Sequence, residues 1–219
     1  MAGIGIKLNK FFDKGTVTGY LAGSGYSVVT TIAPMLLVIA DILAMQKILG
    51  YSDAAYGSRQ LSQATILYIF VFALLASAPL NAVLSRYVSD VIFNETYSDI
   101  MAAFHLGLWI SMAIDAIMVV PFAIHEYIVG GVDIVYVVTS VCCFIALSLV
   151  FYTMLYLSLC KDYGKISLFY FIGMAITLGI SYIFVNKFNM EITYSMLLAM
   201  TIGFIIIASL GYALLRQYF

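Results

Sequence analysis

Charged residues are scarce in this sequence: ten are basic and eleven are acidic among 219 residues, a share of 10%. Hydrophobic residues make up 64%, so the chain could not cover a soluble core with polar surface. The basic residues are scattered and the net charge is −1, which leaves no electrostatic footprint for nucleic acid. The composition therefore predicts a polytopic membrane protein.

The short motifs of familiar catalytic sites are also missing. The sequence contains no Walker A motif, no GxSxG, no HExxH and no DxD-like acidic pair, which disfavours nucleotide hydrolysis and the common hydrolase and transferase reactions. All three cysteines lie in apolar segments, and the adjacent Cys142 and Cys143 would point about 100° apart on a helix, so we interpret them as packing residues. We expect no enzyme activity, no cofactor and no metal.

Six apolar segments, each close to the roughly 20 residues that span a bilayer, follow an amphipathic start. Residues 1–15 carry three lysines among isoleucines, a leucine and phenylalanines, which suits a short helix on an anionic membrane surface. Short loops join the segments, so one transmembrane bundle is predicted over residues 16–219. The predicted spans cover about residues 16–45, 61–84, 101–124, 132–158, 165–185 and 191–214.

The lysines and arginines predict the orientation of the bundle. With the N-terminus inside, seven basic residues fall on the cytoplasmic side and three on the outer side. We therefore expect a multi-pass protein of the inner (cytoplasmic) membrane with both termini in the cytoplasm. The cytoplasmic set is Lys7, Lys10, Lys14, Arg86, Lys161, Lys165 and Arg216, and the outer set is Lys47, Arg59 and Lys187.

The first segment carries a stripe of small and polar residues that falls within roughly an 80° sector of a helix. A carboxylate in hydrocarbon costs about 2.5 to 3.5 kcal/mol even on the mildest insertion scale, so Asp41 should face protein or water. Ser27 and Thr30 would then line a transport cavity, and Pro34 would act as a hinge. The alternative is that the stripe only lets another helix approach and that Asp41 lies at head-group depth.

A second acid, Asp115, lies well inside the third segment, with Ser111 four residues before it on the same face. An acid at this depth is a functional candidate by default, facing either a cavity or a donor on another helix. We therefore add both residues to the predicted transport cavity. The alternative is a structural hydrogen bond made by a protonated Asp115.

The second segment contains Pro79 and continues as LNAVLSRYVSDVIF without a turn signal. A proline inside a helix removes one hydrogen bond and usually kinks it, so we predict a hinge at Pro79 followed by a helical extension into the cytoplasm. Arg86 and Asp90 share a face of that extension. They form either a solvated pair, worth roughly a few tenths of a kcal/mol, or a contact with another helix or a partner protein.

Ser148, Tyr152 and Tyr156 repeat every four residues along the fourth segment. Tyrosine rings near the end of a span usually anchor it at the membrane interface, which is our interpretation of Tyr156. The alternative is that the stripe offers a stacking surface to sugars.

Three stretches carry a family resemblance: MAGIGIKL at the start, TTIAPMLL around Pro34, and APLNAVLSRYVSDVIF after the second span. They resemble PelG-type proteins, the inner-membrane transporters of the Pel exopolysaccharide, within the MOP flippase superfamily that also holds the MATE drug exporters. Such proteins have twelve or more helices in two pseudo-symmetric halves. The resemblance therefore implies an all-α transmembrane bundle that corresponds to one N-terminal half of six helices, with a second half in a longer protein or a pairing partner.

The resemblance also implies a substrate and partners. The substrate would be an amino-sugar-rich polysaccharide moved outward, and the partners would be a cytoplasmic glycosyltransferase and a cyclic-di-GMP-responsive membrane subunit, alongside membrane lipids. Two other functions stay open. One is a MATE-like cation-coupled drug exporter in which Asp41 binds the coupling ion, and the other is a membrane scaffold subunit that transports nothing.

Overall fold

A computed structural model describes residues 17–94, 98–159 and 163–218, and it describes only the backbone of residues 17–31, 53, 92, 98, 159 and 163. Over these ranges the chain forms six α-helices and no strand, and a 3₁₀ turn at Tyr51–Asp53 joins the first two helices. This confirms the predicted all-α class. The helices are α1 (Val17–Ile48), α2 (Tyr56–Phe93), α3 (Ser98–Ile128), α4 (Ile134–Leu159), α5 (Tyr163–Phe188) and α6 (Ile192–Tyr218).

Five of the helices, α2 to α6, are long and apolar enough to cross a membrane. Helix α1 has 32 residues, but the side chains of its first half lie outside the described set. The amphipathic segment predicted at residues 1–15 also lies outside the described residues. The prediction of a polytopic helical bundle is confirmed for the part of the chain that the structure covers.

The helices extend a few residues beyond the predicted spans because hydropathy marks only their apolar middle. The largest difference is in α2, which continues through Pro79 to Phe93 and has 38 residues, or about 57 Å at 1.5 Å per residue. Because the hydrocarbon core is only about 30 Å thick, part of α2 must project beyond it. The predicted helical extension is therefore confirmed, while the bend at Pro79 stays a prediction.

Helices α4 and α6 form the centre of the bundle. They make the most extensive contact in the described structure, and each also packs on outer helices. Helices α2 and α3 pack on α4 and on each other, whereas α5 packs on α6 and α1 packs on α5. The bundle therefore has two sides, one built on α4 and the other on α6.

Two glycines let α5 and α6 approach each other closely. A Cβ at Gly203 would collide with the side chain of Thr177, and a Cβ at Gly173 would collide with Ile207. The Thr177 hydroxyl donates within α5 to the carbonyl oxygen of Gly173 at 3.0 Å. Because lipid supplies no hydrophobic force between helices, small residues that allow such close approach are what help to hold membrane helices together.

Candidate functional site

Asp115 lies on α3 where it packs on α4, and its side chain is 1% exposed. Neither carboxylate oxygen has a hydrogen-bond partner among the described residues. The Ser148 hydroxyl of α4, which is fully buried, is close enough to interact with the carboxylate, yet the two groups do not form a hydrogen bond. A charged carboxylate in this position would cost several kcal/mol, so it is stable only when it is protonated or meets a mobile partner.

A cavity of about 630 Å³ lies between α2, α3 and α4. Its deep end is formed by Phe72 of α2, by Met118 and Val119 of α3 and by Phe144 of α4. Asp115 precedes Met118 and Val119 by three and four residues, and Ser148 follows Phe144 by four. The buried pair therefore lies about one helical turn, or 5.4 Å along each helix, beyond the deep end of the cavity.

The wall of the cavity is mainly aromatic and aliphatic. Tyr68 and Phe72 of α2 meet Phe122 of α3, with ring centroids 5.9 to 6.3 Å apart. Glu126 provides a carboxylate, and its Oε1 lies 3.4 Å from Nδ1 of His125. The lining residues are Leu61, Ala64, Thr65, Tyr68, Ile69, Phe72, Met118, Val119, Pro121, Phe122, Ala123, Glu126, Val132, Tyr136, Val137, Ser140, Val141 and Phe144.

Buried tyrosines fill the α3–α4 interface on the other side of Asp115. The Tyr152 hydroxyl donates to the carbonyl oxygen of Phe104 at 2.7 Å, and the Tyr156 ring lies 5.0 Å from the Phe104 ring. Both tyrosines are about 1% exposed. The interpretation of Tyr156 as an interface anchor is therefore wrong, because its ring is buried between helices and is not exposed to lipid head groups.

Ser111 is buried on α3, one turn from Asp115 and on the same face. Asp41 is 3% exposed on α1, and neither of its carboxylate oxygens has a partner within the described part of the chain. Because α1 packs on α5 whereas α3 packs on α4 and α2, the two acids lie in separate interfaces. The sequence could not indicate this separation, since helical periodicity gives the inward face of each helix but not its neighbour.

The remaining predicted site residues lie apart from the cavity. The side chains of Ser27 and Thr30 lie outside the described set, while Pro34 is half-buried within α1. Pro79 is exposed on α2. Arg86 and Asp90 are exposed on the extension of that helix, and no ion pair joins them. Their roles as cavity, hinge and contact residues stay predictions.

None of the residues that line the cavity was among the predicted site residues, and Tyr136 is the most buried polar one. It lies two residues after the start of α4 and is 3% exposed, and its hydroxyl has no hydrogen-bond partner among the described residues. No signal in the sequence marks it, because a tyrosine in the first turn of an apolar segment is typical of an interface anchor. Nor do the described residues include a group of three His, Cys, Asp or Glu side chains that could hold a metal.

The family model described as "PelG: Putative exopolysaccharide Exporter (EPS-E)" matches residues 1–219. Neither the curated proteins nor the solved structures gave a match. The resemblance carried by MAGIGIKL, TTIAPMLL and APLNAVLSRYVSDVIF is thereby confirmed. Because the match covers the whole printed sequence, the chain belongs to the PelG family of exopolysaccharide exporters.

Proposed function

We propose that this protein is the component of an export system that moves a Pel-like exopolysaccharide across the inner membrane. Family membership and five membrane-length apolar helices support the proposal. The observation that carries it is Asp115, a carboxylate with no partner among the described residues, buried one turn beyond the deep end of an open cavity. A charged group is costly to bury without a partner, so it favours the conformation in which it has one. The binding of a ligand or a proton to such a group can therefore be linked to helix movement.

The orientation and the partners belong to the same proposal. The distribution of the basic residues supports a cytoplasmic location for both termini, so a reporter inserted near Ser52 should be external and one fused after Phe219 cytoplasmic. A cytoplasmic glycosyltransferase and a cyclic-di-GMP-responsive membrane subunit would supply and control the polysaccharide. Arg86 and Asp90, exposed on the extension of α2, are the residues that we propose contact such a partner.

The test is neutralisation of Asp115 in the complete export system. Asp115→Asn keeps the shape of the side chain and should preserve the folded protein while it impairs secretion. Asp115→Leu suits the apolar interface better and should leave the protein at least as abundant, because replacing a buried charge by a hydrophobic group is often stabilising. Secreted polysaccharide is measured against the amount of protein in the membrane.

Asp99→Asn provides a matched control, because Asp99 is exposed in the first turn of the same helix. It should leave secretion unchanged. Normal secretion from both Asp115 variants would exclude a working role for this acid and favour a scaffold subunit that transports nothing. Loss of the protein itself would show that Asp115 is structural.

A second candidate function is supported by Asp41, whose two carboxylate oxygens are buried without a partner in the described structure. In a MATE-like exporter this acid would bind the coupling ion. Purified protein in proteoliposomes would then expel a cationic drug in response to an ion gradient, and Asp41→Asn would abolish that efflux. Polysaccharide secretion that depends on Asp115 but not on Asp41 would argue against this candidate.

A further inference from the structure

The cavity between α2, α3 and α4 is a slot that runs along the helices. On α3 its wall extends from Met118 to Glu126, a rise of about 12 Å, and on α4 it extends from Tyr136 to Phe144, also about 12 Å, with Val132 in the loop before α4. Its volume is about 630 Å³. A space that is longer than it is wide suits a chain-like ligand.

Polar groups gather at the end of the slot that is formed by helix termini. Glu126 lies two residues before the end of α3, and Tyr136 lies two residues after the start of α4. The buried Tyr136 hydroxyl has no hydrogen-bond partner among the described residues, although Thr65 and Ser62 of α2 are close enough to interact with it. Since buried tyrosine hydroxyls usually find a partner, this one is a donor available to a ligand carbonyl group.

The opposite end of the slot is apolar. The polar group of Ser140, about one turn further along α4, is already used, because its hydroxyl donates to the Tyr136 carbonyl oxygen at 2.8 Å. A ligand rich in hydroxyl groups would lose its bonds to water here and leave them unreplaced, at a cost of about 1 to 3 kcal/mol for each group. The slot therefore favours an amphiphile over a sugar. The deep wall consists of Ile69, Phe72, Met118, Val119 and Phe144.

Among the described residues that line the slot, only Glu126 carries a charge, and no ion pair joins it to Arg59, which lies two residues before Leu61 on α2. The ion-pair contact that the structure gives Glu126 is with His125, at 3.4 Å, and an imidazole is a cation only when it is protonated. No described lysine or arginine pairs with this carboxylate. A carboxylate at the mouth of an apolar slot attracts a cationic head group. The aromatic rings of Tyr68 and Phe122, which also line the slot, attract a cation as well.

We propose that the slot binds a membrane phospholipid with a primary ammonium head group. The ammonium group meets the Glu126 carboxylate, the Tyr136 hydroxyl donates to an ester carbonyl oxygen, and an acyl chain runs between the rings towards Met118 and Phe144. The slot ends one helical turn short of Asp115, but the binding of lipid does not depend on the working role proposed for that acid.

The test compares lipids with the same acyl chains and different head groups. Phosphatidylethanolamine, phosphatidylglycerol and diacylglycerol are titrated into the purified protein in detergent, and bound lipid is counted by native mass spectrometry. We expect phosphatidylethanolamine to bind about tenfold more tightly than the other two, as one charge-assisted hydrogen bond predicts. Equal affinity for the three lipids would overturn the proposal.

Two carboxylate variants form a matched pair. Glu126→Gln should weaken the binding of phosphatidylethanolamine about tenfold, whereas Glu191→Gln, which removes an exposed carboxylate at the start of α6 on the same end of the bundle, should not. An equal effect of the two variants would show that general surface charge, and not the slot, attracts the lipid. If Glu126→Gln does not fold, Tyr136→Phe replaces it, with an expected loss of about threefold.

A variant that fills the slot checks its location. Ala123→Phe places a ring in the wall between α3 and its neighbours and should abolish tight binding of phosphatidylethanolamine without unfolding the helices, which circular dichroism would monitor. Unchanged binding would place the lipid elsewhere. Binding of soluble dodecylamine in the absence of any preference for phosphatidylethanolamine would also overturn the assignment, because it would identify a site for free amines.

Discussion

The α5–α6 interface and the α3–α4 interface use buried polar groups in opposite ways. Between α5 and α6, the Ser195 hydroxyl donates across the interface to the carbonyl oxygen of Ser181 at 3.0 Å. Between α3 and α4, Asp115 and Ser148 make no hydrogen bond with any described residue. In the first interface polar groups fasten two helices together, and in the second they are left available to a proton or a ligand.

The α3–α4 interface is fastened one turn away from its available groups. Tyr152 follows Ser148 by four residues, and its hydroxyl donates to the carbonyl oxygen of Phe104. A Cβ at Gly107 would collide with that hydroxyl, so the glycine keeps the space for it. A pair of membrane helices can therefore carry, on successive turns of the same face, polar groups that form stabilising hydrogen bonds and polar groups that have no hydrogen bond to a described residue.

The largest loss of folded protein should come from the substitution of a glycine in the α5–α6 interface. Gly173→Val places a side chain where Ile207 already lies, and overpacking costs about 1 to 3 kcal/mol or more. We expect most of the folded protein to be lost, measured as the monodisperse yield in detergent. Gly179→Val is the control on the same helix, because nothing lies within 4 Å of a Cβ added there. Equal losses would show that valine itself, and not close approach, is harmful.

A smaller loss of stability is expected when the Tyr152 hydroxyl is removed from the α3–α4 interface. Tyr152→Phe removes the hydrogen bond that the tyrosine hydroxyl donates to the Phe104 carbonyl oxygen, at a cost of about 1 kcal/mol. The melting temperature in detergent should fall by a few degrees. Tyr182→Phe, on an exposed ring of α5, should leave it unchanged. If Tyr152→Phe melted at the wild-type temperature, the proposed fastening role would be wrong.

The smallest losses of stability are expected from alanine substitutions of two buried serines, Ser195 and Ser148, and the two losses should differ. Ser195→Ala loses an interhelical hydrogen bond, and such bonds in membrane proteins are worth about 0.6 kcal/mol on average. Ser148→Ala loses no hydrogen bond and should cost less than Ser195→Ala in the same melting experiment. Its effect should instead appear in secretion, because Ser148 lies beside Asp115. A larger stability loss for Ser148→Ala would contradict the distinction between the two interfaces.

The helices and their inward faces could be predicted from the sequence, because hydropathy and the cost of buried charge act on each segment separately. Asp115 was identified in this way, since few positions in a bilayer tolerate a carboxylate. What could not be predicted depends on which helices are neighbours. The separation of Asp41 from Asp115 is one example, and the burial of Tyr156 against Phe104 is another.

The cavity was beyond sequence reasoning for the same reason. It lies between three helices, and its lining residues come from two separate stretches of the chain, residues 61–72 and residues 118–144. Tyr136 and Glu126 are ordinary interface residues when each helix is considered alone. Only their position at one end of a shared slot gives them a common chemistry.

The uninterrupted length of α2 has a mechanical consequence. One end of this helix forms the cavity wall at Tyr68 and Phe72, and the other end carries the exposed Arg86 and Asp90. From Pro79 to the end of the helix is about 21 Å, so a 10° tilt at that point would swing the tip by about 4 Å. A partner bound at Arg86 and Asp90 would therefore be displaced by about that distance if the two parts of α2 tilted relative to each other at Pro79.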